Sequence, residues 1–345
     1  MVALTTGRWQ WRTACAAVVV TYLLHPPVLG DNAGGNWDYI ERQAEDPFDP
    51  PFAFPTSHEA KLMFRLVPAL IVRAGIGFGG WMVLQALLGV VVFAAAGIVV
   101  QRHLHNRAAS VAVVIAVGAT YIGGQYAFDD HAYFDTLAVA GLVGAMTVRS
   151  YPAQFVCLLI ALWTDERAVV ATVAVMAYAA ITRDRGRAIV TPLVLISYAT
   201  GRAVLAGRYG LATPAGPNWI GAAIDGLDVS IPGLWMALKG LWVFPVLGAV
   251  TLISRHRYIA AAALLASVAA SISAALAVLD TTRSAVYLLP AVFCGVAAIE
   301  HEREGLRGNA VRVALGASLA LPTFFVIVPD FTWILPLPLQ LLPDL

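Results

Sequence analysis

Charge is what this chain has least of. Asp, Glu, Lys and Arg make up only 12% of its 345 residues, about half the share of a soluble globular domain, and that shortage excludes a soluble enzyme. Cysteine is scarce too. Cys15, Cys157 and Cys294 are the only three, all within apolar runs, an odd count that implies neither a disulfide framework nor a thiolate metal site. One alternate set of connections is short throughout, which leaves no room on that side for a nucleotide-binding domain. No Ser-His-Asp constellation, P-loop or zinc motif occurs. The densest glycine run, Gly75-Ile76-Gly77-Phe78-Gly79-Gly80, opens an apolar stretch instead of following a strand, and so reads as a helix start.

Apolar residues are abundant. They supply 59% of the chain, and the mean hydropathy is +0.76. Runs near 13–29, 76–100, 108–124, 131–148, 151–164, 168–182, 188–206, 233–253, 258–279, 284–299 and 310–328 are close to the length that crosses hydrocarbon. The first, after Arg8 and Arg12, reads as a span in preference to a cleaved signal. The expected fold is all-α: one polytopic transmembrane helical bundle over 1–345 with about eleven spans. The stretches beside Arg149 and Asp165 are short, which predicts local thinning or re-entrance.

The few charges are sorted by side. With the N-terminus cytoplasmic, the inner connections and Arg8 and Arg12 hold 13 of the 22 Lys and Arg but only 4 of the 21 Asp and Glu. This is the positive-inside pattern, so the basic clusters are topology signals and no nucleic-acid partner is implied. The outer side and the membrane interior hold the other acids, and the chemistry is expected on the outer face of a cytoplasmic (inner) membrane.

Four outer segments concentrate the polar residues. The first extracytoplasmic loop, 31–75, carries Asp31 and Asp38, the latter between Trp37 and Tyr39. It then carries His58, Lys61 and Arg65, which share one arc of an amphipathic interfacial helix kinked at Pro68. That helix reads equally as a headgroup anchor or as a clamp on a lipid phosphate. Next comes Asp129-Asp130-His131, with His131 and Asp135 four apart on one helix face. Capping alone explains these acids, and a divalent metal is an option that the pairing leaves open. Third is the tight turn Asp165-Glu166-Arg167, whose adjacent carboxylates need Arg167 or a ligand to compensate them. Fourth is Asp280-Thr281-Thr282-Arg283, an acidic cap followed by a cation that opposes the helix dipole. Arg202 and Lys239 sit within spans, where an unpaired cation is costly. A second outer loop, 208–232, carries Asn218, Trp219, Asp225 and Asp228.

This layout resembles the GT-C superfamily of integral-membrane glycosyltransferases. The matching pieces are Asp31 or Asp38 in the first loop, the Lys61/Arg65 helix, the Asp129-Asp130 turn, Asp165-Glu166 and Asp280-Thr281-Thr282-Arg283. Relatives often carry an acidic pair after the first span, whereas here Asp31 precedes Asn32. The resemblance implies transfer of a sugar from a polyprenyl-phosphate carrier to a glycan, lipid or protein acceptor, with inversion. The departure leaves the base unassigned by the resemblance. Asp38, flanked by Trp37 and Tyr39 as rings for a sugar to stack on, is the expected base, with Asp31 second. Arg65 and Arg283 are expected to hold the carrier phosphate, and Asp129, Asp130, Asp165 and Glu166 to orient sugar hydroxyls or a metal. Two other classes fit the composition: a non-catalytic envelope-assembly membrane protein and a secondary transporter. A transporter would place its ionisable groups near the midplane.

Overall fold

The computed structural model describes residues 7–26, 35, 37–48, 63–128, 131–210, 226–278, 280–327 and 330–340. Apolar helices dominate, and five are long and apolar enough to cross a bilayer, which marks a membrane protein. Four of these are α4 (Phe78–Leu104), α10 (Arg185–Tyr209), α11 (Leu227–Ser254) and α12 (Tyr258–Leu276), and the fifth is α13 (Thr281–Ala298), whose apolar window is entirely enclosed by its neighbours. Shorter helices complete the bundle: α1 (Arg8–Leu24), α5 (Arg107–Gly118), α6 (Tyr121–Phe128), α7 (Asp135–Thr147), α8 (Tyr151–Thr164), α9 (Arg167–Thr182) and α14 (Glu304–Ala320). Each of the eleven apolar stretches contains helix, and among the described residues five helices reach spanning length.

Small residues set the helix spacing. A Cβ on Gly141 of α7 would lie 2.5 Å from the Cys157 carbonyl of α8, and one on Gly248 of α11 would lie 2.8 Å from Gly295 of α13. Close backbone approach of this kind is how helices associate where hydrocarbon offers no hydrophobic driving force.

The two ends of the bundle differ in charge. At one end, arginines from neighbouring helices cap the carbonyls left open at helix C-termini. Arg102 of α4 donates to Thr147 of α7 at 2.9 Å and to Met146. Arg187 reaches Ala145 and Val148. Arg257 donates to Ala180 and Ile181 at the end of α9, at 3.0 and 2.8 Å, and Arg307 to Leu104 and Glu300. The basic residues that mark topology in the sequence thus also neutralise the negative ends of helix dipoles.

Two apolar stretches are broken. The 108–124 stretch is interrupted between α5 and α6, and α11 carries a 3-10 turn at Lys239–Trp242. Lys239, buried and at φ 48, joins these breaks: its Nζ donates to Ala119 at 3.0 Å and to Ser318 of α14 at 3.3 Å. The amine is thereby held by carbonyls inside the bundle.

Three expectations are corrected. The 310–328 stretch is not helical throughout: α14 ends at Ala320, before Leu321-Pro322, and the chain continues as β1 (Thr323–Ile327), paired antiparallel with β2 (Asp330–Ile334). The hairpin is tied to α13, where Val326 N donates to the Thr282 hydroxyl at 3.0 Å. Pro68 does not kink a helix. It lies in the first turn of α3 (Leu66–Arg73), where its missing N–H costs nothing, and Arg65 precedes that helix as its N-cap residue. Finally, His131 and Asp135 share no helix face, because α7 begins only at Asp135.

Candidate functional site

The end opposite the arginine caps is organised around the turn joining α8 to α9. Asp165 closes α8 in an extended conformation, and its carboxylate turns back on the next helix. It accepts from the Arg167 backbone N–H at 2.8 Å, from Arg167 Nε at 2.9 Å and from Nη2 at 2.7 Å. Aspartate favours such local backbone bonds. Here the bonds also aim the guanidinium.

From this anchor Arg167 reaches two other helices. Nη2 donates to Asp135 Oδ1 at 2.8 Å, at the start of α7, and Nη1 to the Ser284 hydroxyl of α13 at 2.6 Å. Tyr287 donates to the same Asp135 oxygen at 3.1 Å. Arg65 approaches from before α3 with Nη1 3.2 Å from Asp165, and it grips Glu166 through Nε and Nη2 at 3.0 and 2.9 Å. Arg283 closes the ring, its Nε 2.9 Å from Asp280 and 3.5 Å from Asp135, and its guanidinium 3.4 Å from the Tyr133 ring centre. Three guanidiniums and four carboxylates from four segments form one network, with Asp135 and Asp165 almost wholly buried and Glu166 44% exposed.

Burial raises the cost of the Asp165 carboxylate, yet Arg167 and Arg65 outweigh it and hold that carboxyl well below the usual range. For Arg65, burial opposes the charge while Asp165 and Glu166 favour it, and the net effect raises the guanidinium above its ordinary value. Breaking such a buried pair by removing one partner costs about 3–5 kcal/mol, because the other charge is left uncompensated.

A small aromatic core beside the network sets its shape. Phe134, left-handed at φ 63, stacks on Trp81 of α4 at 3.8 Å and on Trp37 at 6.2 Å. Trp37 opens α2 (Trp37–Glu45), so that helix is pinned to the residue preceding Asp135. A bulky side chain at positive φ is strained, and the stack holds Phe134 there.

Six predicted site residues therefore converge: Arg65, Asp165, Glu166, Arg167, Asp280 and Arg283. Arg65 and Arg283 are engaged by carboxylates, although Nη1 of Arg283 has no hydrogen-bond partner among the described residues. Asp38 is exposed on α2, outside these bonds. Trp37 is spent on core stacking and so is withheld from a sugar, while Tyr39 lies 5.0 Å from the Arg42 guanidinium. His131 stacks on Tyr133 at 5.7 Å. Asp31, His58, Lys61, Asp129 and Asp130 lie outside the described residues, as do Asn218, Trp219 and Asp225 of the second loop. Among the described residues, no group of three His, Cys, Asp or Glu is placed to hold a metal. Sequence reasoning noted Asp135 only as a partner for His131 and missed Tyr287 and Ser284. An acid opening an apolar helix was the available signal.

A groove of about 640 Å³ lies beside the network. Val169 of α9, Leu195, Ala199 and Ala203 of α10, and Phe64 give it an apolar wall, and Arg202 stands over it. The Arg202 guanidinium lies 4.0 Å from the Phe64 ring centre and donates to the Tyr198 hydroxyl at 2.9 Å. Phe64 adjoins Arg65, and Val169 follows Glu166 by one turn, so the groove runs up to the network's exposed edge. No family model, curated protein or solved structure matches the chain.

Proposed function

We propose that this protein is a membrane glycosyltransferase that moves a sugar from a polyprenyl-phosphate carrier to an acceptor on the extracytoplasmic side of the cytoplasmic membrane. The observation that supports this reading best is the apolar groove between α9 and α10, which ends on Arg202 beside the Arg65–Glu166 pair. An isoprenoid tail would lie along Leu195, Ala199 and Ala203, on a helix whose outer side exposes Ile189, Leu193, Ile196 and Val204. Its phosphate would meet Arg202, whose fork of donors suits phosphate oxygens.

Asp38 is the proposed base. It is exposed on a helix anchored through Trp37 beside the network, and a carboxylate there can take the proton of an acceptor hydroxyl as that oxygen attacks the anomeric carbon. The bond from that carbon to the carrier phosphate oxygen breaks, and the leaving phosphate is stabilised by guanidinium. Single displacement inverts the anomeric carbon. Glu166, the exposed carboxylate of the network, would orient sugar hydroxyls.

The test incubates purified protein with polyprenyl-phosphate sugars and follows transfer. Asp38→Asn is expected to lose about 10²–10⁴-fold in rate, with product anomericity by NMR opposite to that of the donor. Equal turnover by wild type and Asp38→Asn would refute the assignment of the base, and a retained anomeric configuration would refute single displacement.

A further inference from the structure

The arginine-capped end carries a second cavity that the proposed transfer does not use. It measures about 830 Å³ and is lined by Arg102, Arg183, Arg187, Arg255 and Arg257, drawn from the ends of α4, α9, α10 and α11. The acids in its lining are Asp184 and Glu300, and both are occupied. Asp184 accepts from Arg187 N and Nε at 3.0 and 3.3 Å and from the Tyr151 hydroxyl at 3.3 Å. Glu300 is bonded to His103 at 2.8 Å and His105 at 3.2 Å. Glu302, beyond the lining, takes one edge of Arg255 at 3.1 Å.

Topology alone asks only that arginines lie near this surface. It does not ask five of them to converge on one cavity. Capping explains Arg102 and Arg187, whose donors are used on carbonyls. It leaves Nε and Nη1 of Arg257 unassigned, and the Arg183 guanidinium with no hydrogen bond or ion pair among the described residues. Arg183 also occupies a left-handed position, φ 58, just past the end of α9, where glycine or asparagine is the usual choice. Burial first, then the like charges of Arg183 and Arg255, push the Arg257 guanidinium below its ordinary value. The cavity thus concentrates positive charge beyond what its own acids offset.

We propose that this basin is an anion site that binds a phosphate group, with Arg183 and Arg257 donating to its oxygens and Arg255 at the facing edge. Guanidinium pairs recognise phosphate through bidentate charge-assisted bonds, and the volume admits more than a bare phosphate. The apolar part of the wall, Leu252, Ala297 and Ala298, faces whatever the phosphate carries. The same chemistry is offered by the headgroup of an anionic phospholipid and by a soluble phosphate compound.

The experiment uses the full chain purified in neutral detergent and reads melting temperature. One arm titrates sodium pyrophosphate against sodium chloride of matched ionic strength. The other compares nanodiscs of phosphatidylcholine with discs containing phosphatidylglycerol. A saturable rise with pyrophosphate assigns a soluble phosphate, and a rise confined to phosphatidylglycerol assigns a lipid headgroup. Either supports the site provided that Arg183→Gln, an exposed change that leaves every cap intact, weakens the apparent affinity about tenfold or more. Arg255→Gln provides a second, independent reading with the same expectation. No saturable response in either arm, or identical curves for wild type and both variants, overturns the proposal. Neither result depends on transferase activity.

Discussion

Arg167 and Asp135, 32 positions apart, share a buried 2.8 Å ion pair, and that pair joins the start of α7 to the start of α9. Through Asp165 and Ser284 the same guanidinium also ties in the α8–α9 turn and α13. One side chain therefore sets the relative position of the helices that carry the candidate site.

Replacing Arg167 should consequently damage the fold before it affects binding. Arg167→Met leaves Asp135 and Asp165 buried without their shared cation, at an expected cost of about 3–5 kcal/mol. Denaturant unfolding in detergent measures it. A double-mutant cycle with Asp135→Asn should show coupling between the two, and strictly additive effects would remove Arg167 from its bridging role.

The aromatic stack makes a separate prediction. Trp81→Ala opens a cavity beneath Phe134, expected to cost about 3–5 kcal/mol, and it releases the left-handed residue that positions Asp135 and anchors α2. Faster proteolysis within α2 of the variant, at conditions where wild type resists, is the expected readout.

At the other end, stability should depend on pH through Glu300. Burial works against this carboxylate, but its bonds to His103 and His105 prevail and hold it below its ordinary value of 4.5. A depressed carboxyl contributes stability that is present above its unfolded-state value and lost as pH falls through the lower folded one. Melting temperature should therefore fall as pH drops below about 4.5, and Glu300→Gln should flatten that part of the profile. An unchanged profile would show that the histidine contacts do not stabilise the carboxylate.

Arg202 should act on the donor more than on the chemistry. Arg202→Gln is predicted to raise KM for the polyprenyl-phosphate sugar about tenfold or more, with kcat reduced less. The opposite split, kcat lost at constant KM, would point away from a phosphate contact in the ground state.

Sidedness is checked by labelling. In a background lacking the native cysteines, Asp38→Cys and Glu166→Cys should react with a membrane-impermeant maleimide from outside intact cells, and Arg303→Cys only after permeabilisation. Labelling of Asp38→Cys and Arg303→Cys from the same side would overturn the arrangement.

Much of the fold could be read directly. Apolar runs located the helices because a chain in hydrocarbon must satisfy its backbone internally, and Asn106, Ser150, Asp184 and Asp280 cap helices as their chemistry suggests. The hairpin at 323–334 was less legible, since an apolar run of that length suits strand or helix and only Pro322 marks the change. In the site, Asp165-Glu166-Arg167 announced its own compensation through adjacency. That Glu166 turns instead to Arg65, 101 residues earlier, was carried by no local spacing.

Composition and hydropathy by themselves determined that this is a helical membrane protein, because hydropathy acts residue by residue along the chain. Which acid meets which guanidinium was decided only by tertiary structure. Ion pairs form across helices, at distances set by the close packing at Gly141 and Gly248 and by the Trp37–Phe134–Trp81 stack, and a linear pattern does not encode which helix faces meet. The basin of arginines at the opposite end arose in the same way, from side chains that are scattered along the sequence and gathered by the bundle.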